Sequence, residues 1–340
     1  MSSQTQRPMI YTADQIDVAA ACLRGEELVA FPTETVFGLG AIAHSDKAVE
    51  RVFQAKGRPS DNPLIVHVAS VEAVDELVAE VNEMAARLMQ TFWPGPLTII
   101  FPAKEGMFSS YVSAGKDTVA LRMPDHADTL RLIETVGFPL VGPSANVSGR
   151  PSPTSVEHVV HDFQDKIAGV LQSKTPLTAI GVESTVVYPH HGVIHILRPG
   201  VITKSMLAQL GYPVEEVTAT QQLLSDTLVS PGVKYTHYSP EQPVYVLPDM
   251  PWDSYFDRYS DQKIGLLALE SACQHYQQDA YAVYSLGNTS QSATQRLYAG
   301  LRELEKSGVG LILAQGLDTT DEANHAYMNR LEKAASAILQ

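Results

Sequence analysis

Hydrophobic periodicity fades in one stretch of this chain, from about residue 212 to 242, and this interruption strongly constrains the fold. On both sides of it, short apolar runs typical of buried strands alternate with segments of helical spacing. This alternation favours α/β units. Because domains usually hold about 100–200 residues, 340 residues fit two units better than one. We therefore predict an α/β domain over residues 12–202, a linker or lid over 203–242 and a smaller α/β domain over 243–340.

Capping residues and apolar spacing predict the individual elements. Thr12 and Gln15 form a capping-box pair before a helix that ends at Gly25, and Ser45 begins a helix that ends near Gly57. Further helices are predicted at 71–79, 82–92, 126–137, 205–211, 289–306 and 322–339. Strands are predicted within 28–32, 64–68, 93–101, 118–124, 139–149, 184–188, 193–197, 244–248, 263–269, 280–286 and 309–314. We expect the first ten residues to form a short flexible arm.

Composition restricts the class of function. The net charge of −14 argues against binding nucleic acid through a broad basic face. Two distant cysteines, Cys22 and Cys273, cannot build a disulfide framework or a cysteine metal site, which favours a cytoplasmic protein. No apolar run reaches the roughly 18 residues that a membrane-spanning helix needs, so no membrane partner is expected.

Polar loops at the ends of predicted strands and helices are the candidate ligand contacts. Most of them carry a cation, and these cations are Lys56, Arg58, Arg122, Arg150 and Arg198. Together they have enough positive charge for a triphosphate and a carboxylate, and arginine binds either group bidentately. The residues show no Ser-His-Asp pattern and no His/Cys cluster, so any metal would be Mg²⁺ that arrives with a nucleotide.

Each of these loops also has a purely structural interpretation. Lys56 and Arg58 are also placed to cap a helix C-terminus. Arg122, at a strand end, requires an anion that is either a protein carboxylate or a substrate carboxylate. His67 lies inside a strand, where a histidine is more often a core residue than a ligand. The serine- and proline-rich segment 140–155 suits a polar nucleotide but also an ordinary surface loop.

The segment "FPTETVFGLGAIA" partly matches a dinucleotide-binding pattern, which we discount in favour of two other interpretations. Gly38, Gly40 and Ala43 fit a dinucleotide-binding pattern, but they lie well past the predicted strand end, and no acidic residue follows at the required distance. We therefore interpret the glycines either as a turn between elements or as part of a loop that offers Thr33, Glu34 and Thr35 to a ligand.

Taken in order, a series of motifs resembles a known family. They are "FPTETVFGLG", "KGRPSDNPLIVHV", "WPGPLT", "LRMPDH", "GPSANVSGRPSPT", "GVESTVV" and "LRPG". They are similar to the YrdC-like domain of the threonylcarbamoyl-adenylate synthase family. "PGVKYTHYSP" and "GLDTTDEANHAYMNRLEKAAS" resemble the linker and carboxy-terminal domain of its two-domain form. One departure is Phe37, where the family often has tyrosine. The resemblance implies a YrdC-like twisted open α/β sheet domain followed by a smaller Rossmann-like α/β domain.

The resemblance also implies a reaction. The family is a nucleotidyltransferase that makes threonylcarbamoyl-AMP and pyrophosphate from L-threonine, bicarbonate and ATP, with Mg²⁺ accompanying ATP. The product feeds the threonylcarbamoyladenosine modification of tRNA, so the tRNA threonylcarbamoyl transferase machinery is the implied downstream partner, with a weak RNA contact as a further implied interaction. Because no covalent enzyme intermediate is needed, catalysis would rest on positioning and charge neutralisation.

Roles carry over from the family to the matching positions. The positions implied for L-threonine are Thr35, His67, Arg122, Gly142 and Ser184. Those implied for ATP are Arg58, Asn62, Thr118, Ser144, Ser152, Arg198 and Tyr235. Those implied at the reacting centre are Lys56, Arg58 and Asn146. For His67 this reverses the structural interpretation above.

The aromatic linker "KYTHYSP" fits a lid. Tyr235 would stack on the nucleotide, and Lys234 and His237 would reach phosphate or threonine; the alternative is an anchor between domains. Two rival functions remain open. A carbamoyl transferase that uses carbamoyl phosphate would need acylphosphatase and zinc-finger modules, which two cysteines cannot supply. An RNA-binding or ribosome-associated protein conflicts with the acidic charge.

Overall fold

The computed structural model describes residues 7–174, 179–218, 220–221 and 238–339. The chain forms two compact units. The amino-terminal unit holds residues 1–148, 153–179 and 183–234, and the carboxy-terminal unit holds 149–152, 180–182 and 235–340. None of the described helices is long and apolar enough to cross a membrane.

The amino-terminal unit is built on an eleven-stranded mixed sheet. Its strands are β1 (Met9–Tyr11), β2 (Val29–Phe31), β3 (Gly38–Ile42), β4 (Ile65–His67), β5 (Leu97–Pro102), β6 (Thr118–Arg122), β7 (Leu140–Val141), β8 (Gly169–Leu171), β9 (Thr185–His190), β10 (Val193–Arg198) and β11 (Val214–Glu216). Their order is β1-β8-β2-β3-β7-β4-β6-β5-β9-β10-β11. β4 therefore lies between β7 and β6, which places the ends of the two buried strands β4 and β6 side by side.

Helices pack on both faces of this sheet. They are α1 (Ile16–Arg24), α2 (Asp46–Lys56), α3 (Val74–Leu77), α4 (Glu83–Phe92), α5 (Ser110–Ser113), α6 (Ala127–Val136), α7 (Val156–Phe163) and α8 (Lys204–Ala208). Val29 and Phe31 of β2 join the apolar cluster of α1 and α6, whereas Ala30 between them joins the cluster of α2 and α4. Because side chains alternate along a strand, the two clusters lie on opposite faces.

The caps of α2 form as the sequence predicts. The Ser45 hydroxyl accepts a hydrogen bond from the Ala48 N–H at the start of the helix. Gly57 ends it with a φ of 59°, a left-handed conformation that favours glycine. This sharp end fixes where the chain leaves α2, and Lys56 and Arg58 stand on either side of it.

Three local predictions were wrong. The predicted arm is contradicted at Met9 and Ile10, which form with Tyr11 an edge strand that pairs in parallel with β8, while residues 1–6 lie outside the described residues. The glycines after "PTETVF" lie in β3, which pairs with β2, rather than in a turn, and a Cβ at Gly38 would lie 2.8 Å from the Phe31 ring. The helix predicted for 322–339 ends at Ala334, and a short strand follows it.

The carboxy-terminal unit is built on a five-stranded, entirely parallel sheet. Its strands are β12 (Val244–Leu247), β13 (Ile264–Ala268), β14 (Ala282–Ser285), β15 (Leu311–Gln315) and β16 (Ala337–Ile338), in the order β14-β13-β15-β12-β16. Its helices are α9 (Asp253–Arg258), α10 (Glu270–Tyr276), α11 (Ser290–Lys306) and α12 (His325–Ala334). The fold class predicted from the sequence, two α/β units with a Rossmann-like second one, is confirmed.

Candidate functional site

The strand ends of β4 and β6 bring together three of the residues expected to bind threonine. His67 and Arg122 are register partners in this parallel pair. Thr35 lies in the segment between β2 and β3, and its hydroxyl accepts a hydrogen bond of 2.9 Å from Arg122 Nη1. All three side chains are buried. The sheet topology thus gathers polar groups that are far apart in sequence.

Arg122 meets a protein carboxylate at this place. Its Nη2 lies 2.7 Å from Oε1 of Glu34, and both side chains are nearly enclosed. Its Nε also donates to the Gly95 carbonyl at 3.3 Å. The Glu34 contact is an ion pair by distance without hydrogen-bond geometry. Among the described residues, neither Glu34 oxygen accepts a hydrogen bond, and Nη2 of Arg122 donates none.

His67 is buried with one ring nitrogen unpaired. Its Nδ1 has no hydrogen-bond partner among the described residues. The Phe31 ring contacts the imidazole edge-on at a centroid distance of 5.4 Å. A Cβ at position 142 would come within 2.6 Å of Nδ1, so Gly142 keeps the space beside this nitrogen open. Burial, and then the charge of Arg122, hold the pKa of His67 well below 6.5, so the imidazole is neutral near pH 7.

Lys56, at the end of α2, is tied to the loop after β7. Its Nζ donates to the carbonyls of Ser144 and Asn146, the latter at 2.7 Å. The Ser148 N–H in turn donates to the Lys56 carbonyl. Burial, and then Arg58, hold the pKa of Lys56 well below 10.5, while Asp162 and Glu183 act in the opposite direction. Lys56 therefore holds the backbone of the loop that carries Ser144 and Asn146.

Arg58 and Asn62 occupy the turn after α2. Nη2 of Arg58 donates to the carbonyl of Pro63 at 3.1 Å and to that of Asn62 at 3.4 Å. Asn62 is buried, and Arg58 is half-buried. The guanidinium is therefore held by the main chain of its own turn and remains partly accessible to a ligand.

Arg198 and Ser184 form a third cluster, at β9 and β10. Nε and Nη2 of Arg198 donate to the Ser184 carbonyl at 3.1 and 2.9 Å, and Nη2 reaches the Ser184 hydroxyl at 3.2 Å. That hydroxyl also lies 2.7 Å from the Thr98 hydroxyl. A residue expected at ATP and a residue expected at threonine are thus directly connected.

The remaining predicted residues occupy separate positions. Thr118 is half-buried at the start of β6, and Ser144 is half-buried and forms an isolated bridge with Gly38. Ser152 is buried and groups with the carboxy-terminal unit. Lys234, Tyr235 and His237 lie outside the described residues.

Arg150, which was expected to serve a ligand anion, lies against two protein carboxylates in this structure. Its Nη1 lies 3.1 Å from Glu305 and 3.2 Å from Glu241, all within the carboxy-terminal unit. Two protein carboxylates thus neutralise this cation. Glu305 follows Arg150 by 155 residues, so no local pattern reveals the pair.

Comparison with known proteins decides the family. Residues 21–200 match the family model Sua5_yciO_yrdC, described as "Telomere recombination". Residues 202–336 match Sua5_C, described as "Threonylcarbamoyl-AMP synthase, C-terminal domain". The chain is 43% identical over 327 residues to threonylcarbamoyl-AMP synthase of Bacillus subtilis, covering 94% of this chain and 93% of the relative. The chain belongs to the threonylcarbamoyl-AMP synthase family.

Two further matches support membership of the threonylcarbamoyl-AMP synthase family. The synthase of Pyrococcus abyssi is 40% identical over 330 residues, which cover 94% of each chain. The crystal structure of P. abyssi Sua5 complexed with L-threonine superposes with a TM-score of 0.88 at 38% identity, covering 98% of this chain and 100% of that one. The two-domain form of the family, predicted from the motifs, is thus confirmed.

Sequence analysis did not find the acceptor groups around the cations in this member of the synthase family. The Gly95 carbonyl, the Thr98 hydroxyl and the pairing of Glu34 with Arg122 depend on strand register. The place of Glu34 in "PTET" led us to expect that it faces a ligand, and it did not indicate Arg122 as its partner. In the described parts of the chain, no group of three or more His, Cys, Asp or Glu side chains is arranged to hold a metal ion.

The lowered pKa of His67 predicts a pH-dependent stability. Below about pH 6.5 the unfolded chain protonates this histidine while the folded protein does not, so the free energy of unfolding falls as the pH falls. Relative to His67→Gln, the wild type should lose up to about 1.4 kcal/mol per pH unit in this range. Denaturant unfolding of both proteins between about pH 7.5 and 5 measures this loss. If the difference between their free energies of unfolding stays constant over this range, the lowered pKa of His67 is contradicted.

Proposed function

We propose that this chain is an L-threonylcarbamoyladenylate synthase that converts L-threonine, bicarbonate and ATP into threonylcarbamoyl-AMP and pyrophosphate. The observation that carries the proposal is the buried group of Thr35, His67 and Arg122, in a chain that matches a threonine-bound structure over 98% of its length. Full-length relatives named threonylcarbamoyl-AMP synthase support the same reaction.

Threonine binding is proposed at the ends of β4 and β6. The residues assigned to it are Thr35, His67, Arg122, Gly142 and Ser184. Arg122 is the buried cation of this group and suits a carboxylate, which its planar fork can bind through two parallel hydrogen bonds. His67 is neutral and has a nitrogen available, and Gly142 leaves the space beside it open.

ATP binding is proposed at the cation-bearing loops. The residues assigned to it are Arg58, Asn62, Thr118, Ser144, Ser152, Arg198 and Tyr235. Mg²⁺ is proposed to arrive with ATP as the counterion of its phosphates, since the described residues form no metal cage of their own. Lys56 and Asn146 are assigned to the reacting centre, where Lys56 fixes the loop that carries Ser144.

The proposed chemistry needs positioning and electrostatics from the protein. Bicarbonate takes up a proton and loses water to give CO₂. The threonine ammonium loses a proton, and the resulting amine forms a nitrogen–carbon bond to CO₂ and releases a second proton, which gives a carbamate. A carbamate oxygen then bonds to the α-phosphorus of ATP, while the bond to the β-phosphate oxygen breaks and pyrophosphate leaves with the electron pair. Arg58 would stabilise the charge that develops on the phosphate, and the buried walls of the site would limit hydrolysis of the product.

The biological setting and the linker are also proposals. The product would pass to a tRNA threonylcarbamoyl transferase system in the cytoplasm. Residues 203–242 would act as a lid, with Tyr235 stacking on the nucleotide. An RNA-binding role as the main activity gains no support from the relatives, which are named as synthases.

One assay tests the proposed function. The purified chain should release pyrophosphate from ATP only when L-threonine and bicarbonate are both present, and mass spectrometry should detect threonylcarbamoyl-AMP. Carbamoyl phosphate should not replace bicarbonate and ATP. If pyrophosphate release does not depend on threonine, the proposed function is wrong.

A further inference from the structure

The Glu34 carboxylate is an unusual feature of the proposed threonine site. The residue is 8% exposed, and both carboxylate oxygens are fully buried. Among the described residues, no donor meets either oxygen with hydrogen-bond geometry, although Arg122 Nη2 lies 2.7 Å from Oε1. Buried carboxylates are usually hydrogen-bonded, because an unsatisfied charge in the interior is costly. A group left in this state calls for an explanation in terms of function.

A purely structural ion pair explains this arrangement poorly. A buried ion pair offsets the cost of desolvation only when hydrogen bonds satisfy the remaining oxygens and N–H groups. Here Nη2 of Arg122 also lacks an acceptor in good geometry, whereas Nη1 and Nε donate well to Thr35 and Gly95. Among the described residues, Nη2 of Arg122 and the two Glu34 oxygens therefore have unused hydrogen-bonding capacity where the two side chains meet.

The surrounding charges leave Glu34 able to accept a cation. Arg122 is a cation in direct contact with Glu34, and the imidazoles of His67 and His126 both have their pKa lowered, chiefly by burial. Asp128 and Glu34 act on His126 in the opposite direction. Arg122 is thus a buried cation in direct contact with the Glu34 carboxylate.

We propose that Glu34 binds the α-ammonium group of the substrate while Arg122 binds its carboxylate. This inference rests on the proposed function, and it adds a substrate-binding residue to it. In an amino acid these two groups are attached to one carbon atom, and Glu34 and Arg122 are in direct contact. A zwitterion placed across the pair gives four alternating charges, and its N–H groups supply the donors that the Glu34 oxygens lack.

The proposal makes Glu34 selective for the amine of the ligand. Glu34→Gln keeps the shape of the side chain but removes its charge. We expect this variant to bind L-threonine about ten- to a hundredfold more weakly, since it loses a charge-assisted hydrogen bond. Binding of 2-aminobutanoate, which keeps the amine and lacks the hydroxyl, should weaken by the same factor. Binding of 2,3-dihydroxybutanoate, which lacks the amine, should not weaken.

Titration calorimetry with the three ligands, together with the Michaelis constants for threonine and ATP, measures these effects. The control is Glu134→Gln, an exposed glutamate on α6, which should bind all three ligands like the wild type. If Glu34→Gln weakens 2,3-dihydroxybutanoate as much as threonine, Glu34 only orients Arg122 and the proposal is wrong. An effect on threonine that is absent for 2-aminobutanoate would assign Glu34 to the hydroxyl and also overturn it.

One comparison in the wild type keeps the proposal testable if Glu34→Gln does not fold. Threonine should bind at least about tenfold more tightly than 2,3-dihydroxybutanoate, because only threonine supplies a cation to Glu34. Equal affinity would overturn the proposal. If the proposed function itself is wrong, the outcome is different, because the wild-type protein then shows no threonine-dependent pyrophosphate release.

Discussion

Replacement of Lys56 by methionine should reduce threonine-dependent pyrophosphate formation at least about a hundredfold. Lys56 Nζ holds the carbonyls of Ser144 and Asn146, and methionine has similar length but no donor. Each buried carbonyl left without a donor costs about 1–3 kcal/mol, so the loop should shift. A shift of about 1 Å near reacting groups can lower a rate by roughly a hundredfold. Pyrophosphate release measures the loss of activity, and thermal unfolding of the variant measures the loss of stability.

Lys47→Met is the matched control, because Lys47 lies at the other end of the same helix. It forms an exposed ion pair with Glu26 at 2.7 Å. Exposed pairs contribute about 0–1 kcal/mol to stability, so turnover should stay near that of the wild type. Lys56→Met activity within threefold of the wild type would show that the lysine does not support the reaction.

Replacement of Arg58 by alanine should lower kcat/KM for ATP by about a hundred- to a thousandfold. This is the loss found when one donor to developing charge is removed from an active site. Arg58 is half-buried and donates hydrogen bonds to carbonyls of its own turn, so the fold should persist. Steady-state kinetics with varied ATP, beside circular dichroism of the purified variant, gives the comparison.

Two further variants sharpen this result. Arg51→Ala removes a half-buried arginine of α2, the helix that precedes the turn of Arg58. Arg51 pairs with Glu27, and its removal should leave kcat/KM for ATP unchanged. Arg58→Lys should recover only part of the activity, because lysine lacks the planar fork of donors. If Arg58→Ala retains wild-type kinetics, the role proposed for Arg58 at the phosphates has to be abandoned.

The sequence was sufficient to predict much of the fold. Long apolar runs and side-chain caps identify their elements locally, as for α2 between Ser45 and Gly57. β1 and β3 were missed because β1 is a short edge strand and β3 begins "GLG", a sequence typical of turns. Their strand conformation depends on neighbours, since β1 pairs with β8 and β3 lies against the Phe31 ring.

Candidate site residues were easier to name than their partners. A cation at a strand end requires an anion, so Arg122 could be selected from the sequence. Which anion it meets depends on how the segment after β2 approaches β6, and the structure places Glu34 there. Arg150 likewise lies against a protein carboxylate, Glu305, which its place in the sequence did not indicate. Such pairings form only when distant segments pack.

The Phe31 ring has a consequence for how this region can change during evolution. A Cβ would meet this ring at 2.8 Å from Gly38, at 3.0 Å from Gly40 and at 2.7 Å from Gly142. None of these three glycines has a positive φ, so their requirement is steric rather than conformational. Acceptance of alanine at Gly38 therefore depends on a smaller residue at 31. At Gly142 it requires in addition that the His67 ring shifts, because a Cβ there would lie 2.6 Å from His67 Nδ1. These positions should covary across relatives, and the ring that limits them also touches His67.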